Sequence, residues 1–298
     1  VTQPIDDPAL LFGRRATVQV GTLLLDAGGG TGMDVEFTVR RGVKVTHSAT
    51  KPQPNTCDLS IKNLSEDHRK AIEQSTVPGA AKTKVPVVLS AGYRGRQSVL
   101  FSGELRAGHS IRTGGTWVTE LTTGDGDDAL TQTRLSIALS RGSTHEQGIK
   151  KILEALGVGE GNLSAGITRL KEQALAAQLF SRGVVLKGGA AELMTHFCRS
   201  VGLEWSIQNG ALQLTALGQP LNGQAVLVDA DHGMLGSPTV DTKGILSVKT
   251  LMLPDVAPGV AIDVRAATVS GGFKVLSVET KGDTAGTDWG HAIEAARY

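Results

Sequence analysis

Strict two-residue alternation of apolar and polar side chains, kept in three separate stretches, constrains this chain more than any other feature. Met33, Val35, Phe37 and Val39 alternate with Asp34, Glu36, Thr38 and Arg40. Cys57, Leu59 and Ile61 alternate with Asp58, Ser60 and Lys62. Leu203, Trp205 and Ile207 lead into Asn209-Gly210, with Leu212 and Leu214 beyond it. Period two sends successive side chains to opposite faces, so each stretch reads as a strand with one buried face. Asn-Gly between two such runs supplies the positive φ angles of a tight hairpin turn. Glycine is frequent, at 38 residues, while aromatics make up 4%, which fits a β-rich chain with many tight turns and few large anchors.

At roughly 150 residues per domain, the 298 residues make about two domains, or three small ones. Strands are expected over 14–25, 33–41, 56–62, 84–91, 97–106 and 109–123, the last bent at Gly114-Gly115. Between them Ser65 can cap a short helix whose first turn carries Glu66 and Asp67. After 125 the pattern changes. Ser143 and Glu146 have the spacing of a capping box, and Ile149, Ile152, Leu153 and Leu156 then recur at helical spacing up to Gly157. A second helix is expected over 189–202, with Leu193, Met194, Phe197 and Val201 on one face, followed by the hairpin of 203–215. From 219 strands return, at 225–229, 245–253, 259–268 and 272–280. The expected fold class is mainly β with a smaller α+β part. The expected division is 1–125, 126–218 and 219–298, and the shared style of the two ends is compatible with an internal duplication.

Little in the chain points to a reaction. The glycine cluster 28–32 lacks the Gly-Lys-Ser/Thr ending of a phosphate loop and precedes a strand, so it reads as a turn. Asp125, Asp127 and Asp128 lack a later bidentate Glu at calcium-loop spacing and read as a solvated turn. His145-Glu146-Gln147-Gly148 is followed by Ile149, not the second His of a zinc motif, and no two of the seven histidines stand three or four apart. No serine sits in a Gly-x-Ser-x-Gly elbow. Cys57 and Cys198 both fall on apolar faces and are expected as reduced core residues. Trp117, Trp205 and Trp289 are expected as core or hinge anchors, any surface one among them marking a partner interface. No catalytic residue, cofactor or metal ligand is assigned. A net charge of +1 gives no global case for a nucleic-acid or membrane binder. No run approaches the ~18 apolar residues of a membrane helix and no secretory signal opens the sequence, so assembly in a cytoplasm is expected.

Read in order, several landmarks resemble a known family. They are Met33–Arg40 followed by Asn55–Ser65; Leu89-Ser90-Ala91-Gly92-Tyr93 with Leu100-Phe101-Ser102-Gly103; Gly188 and the helix into Gly202–Gly210; Gly233–Pro238; and Leu251–Gly259 with Gly272-Phe273-Lys274-Val275, Gly282-Asp283-Thr284 and Asp288-Trp289. This order is similar to that of the baseplate hub, or tail hub, proteins of tailed bacteriophages, related to the late control protein D family and to the hubs of contractile injection systems. The resemblance implies two tube-like antiparallel β-barrels, over about 8–125 and 219–298, flanking the α+β domain. The barrels are expected to superpose and to be separate, which a single continuous sheet would contradict.

The implied assembly is a homotrimer whose six barrels form a pseudo-sixfold ring, joining a hexameric tail tube to a trimeric central spike. Implied neighbours are the tail tube or distal tail protein, the baseplate wedge proteins and the tape measure protein, with genomic DNA passing transiently through the channel. The implied location is the virion, at the tail tip, and no length is spared for a fused lytic domain. The channel wall is expected to lack large apolar patches. Interface contributors are expected at Leu10, Leu11 and Phe12, and at Leu251 and Leu253. A tube or distal-ring protein of the same machine, and a cell-wall hydrolase with a dispersed site, are the competing readings.

Overall fold

The computed structural model describes residues 13–43, 54–75, 84–126, 130–172, 180, 182–221 and 223–298. It is mainly β with few helices. The chain forms two compact units. One lies within the spans Val1–Arg41, Asn55–Asp125 and Asn222–Arg297; the other within Gly42–Pro54 and Gly126–Leu221, with Tyr298.

The first unit has two lobes. The N-terminal lobe holds β1 (Arg14–Val20), β2 (Leu23–Ala27), β3 (Asp34–Gly42), β4 (Asn55–Lys62), α1 (Glu66–Ser75), β5 (Pro86–Tyr93), β6 (Arg96–Thr113) and β7 (Thr116–Asp125). The alternation read from the sequence is what is buried: Val35, Phe37 and Val39 face inward while Glu36 and Arg40 are exposed, and Cys57, Leu59 and Ile61 repeat the pattern on β4. Ser65 Oγ accepts from the His68 amide at 3.3 Å and caps α1. Two expected strands are hairpins instead. Residues 14–25 turn at Gly21, which takes φ +59°, and residues 109–123 reverse at Gly114-Gly115, both at positive φ, so that β6 and β7 pair.

In the chain order that follows the second unit, the C-terminal lobe holds β12 (Val226–Val228), β13 (Met234–Val240), β14 (Ile245–Leu251), β15 (Ala261–Arg265), β16 (Ser270–Asp283) and β17 (Trp289–Arg297). The expected separation of the two ends does not hold. β3 and β16 are neighbours, so strands of both lobes form one 13-stranded sheet in the order β13-β14-β17-β16-β3-β4-β7-β6-β5-β1-β2, with β15 on β16 and β12 on β15. Packing divides into two clusters, with Met252 and Trp289 of the C-terminal lobe joining the N-terminal one. One core gathers Val35, Phe37, Leu59, Leu89 and Phe101; another gathers Leu246, Ile262, Phe273, Val275 and Ile293.

The seam between the lobes is stitched by side chains. Arg40 reaches Asp58 on β4 (3.0 Å) and Glu279 on β16 (3.3 Å), and Lys281 also meets Glu279 (3.1 Å). The Thr284 amide donates to the Val35 carbonyl (3.0 Å), and the Val35 amide donates to Thr284 Oγ1 (2.9 Å). Arg14 donates to the carbonyls of Asp283, Gly286 and Thr287, with its guanidinium 5.5 Å from the Trp289 ring centroid. Beside this loop the Phe37 ring occupies the space a Cβ at Gly282 would need. Gly282→Ala is therefore expected to cost about 1–3 kcal/mol by overpacking, measured by denaturant unfolding, with Phe37→Leu restoring part of the loss.

The second unit holds β8 (Arg134–Leu139), α2 (His145–Leu156), α3 (Leu163–Glu172), β9 (Val184–Gly189), α4 (Ala190–Ser200), β10 (Leu203–Gln208) and β11 (Ala211–Ala216). Its core brings Ile149, Ile152, Leu153 and Leu156 of α2 against Met194, Phe197 and Cys198 of α4 and Trp205 and Leu214 of the hairpin; Leu193 is only partly buried. Asn209 and Gly210 take φ +54° and +76°, as the turn requires. Trp205 Nε1 donates to Thr195 Oγ1 (2.9 Å), so the buried indole is satisfied. Gly157 ends α2 in the left-handed region.

The capping box is not Ser143 with Glu146 but Thr144 with Gln147, whose reciprocal bonds are both formed. Glu146 instead pairs with Lys150 at 2.8 Å. The run Ser-Thr-His-Glu-Gln offers the box in two overlapping registers, and composition does not choose between them. Both cysteines are free and buried, and burial pushes both thiols up, Cys198 to about 12.

Candidate assembly surface

Eight strands, β13-β14-β17-β16-β3-β4-β7-β6, run unbroken across both lobes. Register places polar side chains along one face of this run. Thr239, Ser247, Glu294 and Ser277 form one row, and Lys249, Ala292 and Glu279 the next. On the other side of the seam Thr38, Asp58 and Thr122 form a row, as do Glu36, Ser60, Glu120 and His109. Several charges on this face pair with one another. Besides the Arg40 network, Ser277 Oγ donates to Glu294 (2.6 Å) and His109 Nε2 lies 3.2 Å from Glu120. The hydrogen bond from Lys281, with that lysine and Arg40 adding their charge, holds Glu279 below its ordinary pKa.

The run ends in β13 on one side and in β6 on the other. β13 has β14 as its one neighbour among the described strands. β5 pairs with β6 only over Arg96–Glu104, so beyond Leu105 the distal half of β6 has β7 alone among the described strands. Both carry exposed apolar side chains, Leu235 and Val240 on β13 and Ile111 on β6.

Strand order repeats between the lobes. In β3-β4-β7-β6 the first strand pairs the second, the second pairs the fourth, and the fourth pairs the third. In β13-β14-β17-β16 the same holds. The seam joins the third strand of one set, β16, to the first strand of the other, β3. The two outer strands of the run, β6 and β13, are again a third and a first.

The residues expected to matter are placed unevenly. Leu10, Leu11 and Phe12 lie outside the described residues, as do Asp127 and Asp128. Leu251 is half-buried at the end of β14, beside the β13 edge. Leu253 is 6% exposed and belongs to the core of the C-terminal lobe, so its side chain has no surface to offer a neighbour. Asp125 is not a solvated turn residue: it is 2% exposed and accepts from Asn55 Nδ2 at 3.3 Å. His145 stacks on Phe180 and Phe197 at centroid distances of 4.8 and 5.4 Å. Trp205 and Trp289 are buried, whereas Trp117 is 39% exposed with the Arg69 guanidinium 4.2 Å from its ring centroid. Among the described residues no three His, Cys, Asp or Glu side chains gather as a metal site, and no helix is long and apolar enough to cross a membrane.

The β13 edge escaped the sequence reading because Gly236-Ser237-Pro238 looks like a turn. Proline is tolerated on an edge strand, and the ladder shifts register between Leu235 and Thr239. That combination is itself an edge signal.

No protein-family model matches the chain, and no curated protein matches its sequence. Solved structures do match. A 43 kDa tail protein of prophage MuSo2 from Shewanella oneidensis superposes with a TM-score of 0.61 at 10% identity, over 95% of this chain and 98% of that one. A tail protein from Neisseria meningitidis MC58 gives 0.61 at 12% identity, over 96% and 97%. An E. coli component of the type VI secretion system, described as structurally similar to the T4 bacteriophage tail proteins gp27 and gp5, gives 0.56 at 11% identity, over 94% and 76%. With 94–96% of its length matched, this chain has the fold of these phage tail and secretion-system proteins.

Proposed function

We propose that this chain is a structural hub protein of a phage-like tail, three copies of which close into a ring through β6 of one and β13 of the next. The observation that carries the reading is the repeated strand order. The β16–β3 seam joins a third strand to a first strand within one chain. A β6–β13 joint would make the same kind of contact between chains. A strand edge that meets a different edge is a head-to-tail contact, which closes a ring when the rotation permits. Three chains with two lobes each then present six similar units toward a sixfold tube and three whole chains toward a threefold spike. In this reading residues 1–125 and 219–298 supply tube segments and 126–218 an inserted domain.

The polar face of the eight-strand run fits a channel wall. Its Arg40, Lys281 and His109 are each paired with a carboxylate, which weakens their pull on the phosphates of passing DNA. The tail tube or distal tail protein, the spike and neighbouring baseplate proteins are the partners this role requires. The role is one of assembly, not catalysis, and its place is the virion tail tip.

The test is the native mass of the purified chain and of Leu235→Asp and Ile111→Asp, both exposed sites. Three copies are expected for the parent and a shift to monomer in either variant, with the thermal transition unchanged. Six copies would make it a tube-ring protein. A chain that stays monomeric at high concentration and is absent from the tail tip would overturn the proposal.

A further inference from the structure

The two sets of four strands match in residue register as well as in order. β6 bulges against β7 between Leu105 and Ala107, and β16 bulges against β17 between Val275 and Ser277. Laying one bulge on the other sets His109 on Glu279, Ser110 on Thr280, Trp117 on Trp289 and Thr119 on His291. Side-chain contacts agree with this alignment. Ser110 and Thr119 share a cross-strand hydrogen bond (3.2 Å), as do Thr280 and His291 (2.8 Å). Each tryptophan has an arginine over its ring, Arg69 on Trp117 and Arg14 on Trp289. The ladders through β4 and β14 carry the match to the first strands. There Thr38 falls on Thr239, Val39 on Val240 and, one step on, Arg40 on Asp241.

Matched positions differ in burial. At the seam Val39 is 0% exposed and Trp289 6%, the indole lying against Phe37 and Tyr93 of the other lobe at 5.8 and 6.4 Å. Their counterparts on the outer half of the run, Val240 and Trp117, are 45% and 39% exposed. The seam also has a register that can be carried over. Val35 exchanges hydrogen bonds with Thr284, the Phe37 ring lies against Gly282, and Arg40 pairs with Glu279, so β3 and β16 run antiparallel. The same register between β13 and β6 sets Met234 beside Gly114, Thr239 beside Ile111, Val240 beside Ser110 and Asp241 beside His109.

We propose that neighbouring copies of this chain join in the register of the seam. β6 of one copy runs antiparallel to β13 of the next, His109 meets Asp241, and Trp117 and Val240 become buried. This rests on the hub reading above and specifies the contacts of its joint. The polarity of the charged pair is reversed. At the seam the first strand carries the cation, Arg40, and the third strand the carboxylate, Glu279. At the joint the first strand carries the carboxylate, Asp241, held by the Lys243 and Ile245 amides at 2.8 Å each, and the third carries His109. A β13 edge set against β16 of another copy would bring Asp241 to Glu279, and like charges disfavour that wrong joint.

The test uses the full chain. Native mass gives the number of copies, while a cysteine pair and tryptophan emission report the register. His109→Cys with Asp241→Cys is expected to oxidise into covalently linked copies, the two native cysteines being buried. His109→Cys with Leu235→Cys is expected to stay unlinked, because the partner of Leu235 in this register is Thr113. Dilution from trimer to monomer is expected to red-shift the emission of the parent, since Trp205 and Trp289 are buried and Trp117 is exposed in the single chain. Trp117→Phe is expected to lose that shift. A trimer in which the Asp241 pair stays reduced, or whose emission matches the monomer's, would overturn this register and leave the hub reading standing. A chain that is monomeric at every concentration would overturn both.

Discussion

Phe197→Ala is expected to destabilise the second unit by about 3–5 kcal/mol, the range for removing a large aromatic ring from a well-packed core. The ring is 4% exposed and lies between α2 and α4, 5.8 Å from the Phe180 centroid and 5.4 Å from that of His145. It also fills the space a Cβ at Gly148 would need, which explains a glycine in the interior of α2. Glycine costs that helix about 1 kcal/mol relative to alanine, so the fit must offset it. Gly148→Ala alone is expected to destabilise, because the new methyl meets an aromatic ring held by its neighbours. In Phe197→Ala the same change is expected to stabilise, since the methyl enters the cavity and helix propensity improves. Denaturant unfolding of the four proteins in this cycle measures the reversal. Two independent losses that simply add would mean that the ring and the glycine are not in contact.

Acidification is expected to weaken the first unit through His291. The Leu253 carbonyl can only accept, so Nε2 carries the proton, and Nδ1 accepts from Thr280. Burial, followed by the Arg41 charge, lowers its pKa to about 4, although the bond to Leu253 pulls the other way. An imidazole in the unfolded chain titrates near 6.5. Between these values the unfolded state takes up a proton that the folded state refuses. The His291 contribution is therefore complete above about pH 6.5 and falls as pH drops toward 4, by about 3 kcal/mol in all. Unfolding free energies at pH 7.5, 5.5 and 4.0 for the parent and His291→Gln measure it. The variant is expected to lose that part of the slope, while carboxylates elsewhere keep theirs. Parallel curves would show that His291 is not buried as a neutral ring.

The strands with clean alternation were legible because one face of each is core and the other is solvent. Val35, Phe37 and Val39 declare that geometry without help from the rest of the fold. β17 was not legible. Its run Gly290-His291-Ala292-Ile293-Glu294-Ala295-Ala296 is small and helix-tolerant, and it becomes a strand because β14 and β16 flank it on both sides. The long extended stretch to 123 was read as one bent strand because Gly114-Gly115 serves a bend or a reversal equally well. The polar residues that matter most inside, Arg41, Asp125 and His291, gave no signal. Their burial depends on neighbours far away in sequence, and a charged residue at a strand end is ordinarily solvated. The burial of Leu253 was hidden for a related reason. Leu251 and Leu253 look alike in sequence, but β14 ends between them and Leu253 turns into the core.

The shared sheet also bears on how an oligomer could be built. Because the two lobes belong to one polypeptide, the β16–β3 joint forms at an effective concentration set by the tether, not by how many copies the cell contains. A ring with six such joints made from single lobes would need every one of them to form between separate molecules. Made from this chain, half of them are already present before any encounter, one in each monomer. The tether has an evolutionary side as well. Two lobes held in one chain are free to diverge, since a substitution in one is not imposed on the other. A chain of this kind can keep one rim uniform for a sixfold neighbour while specialising the other.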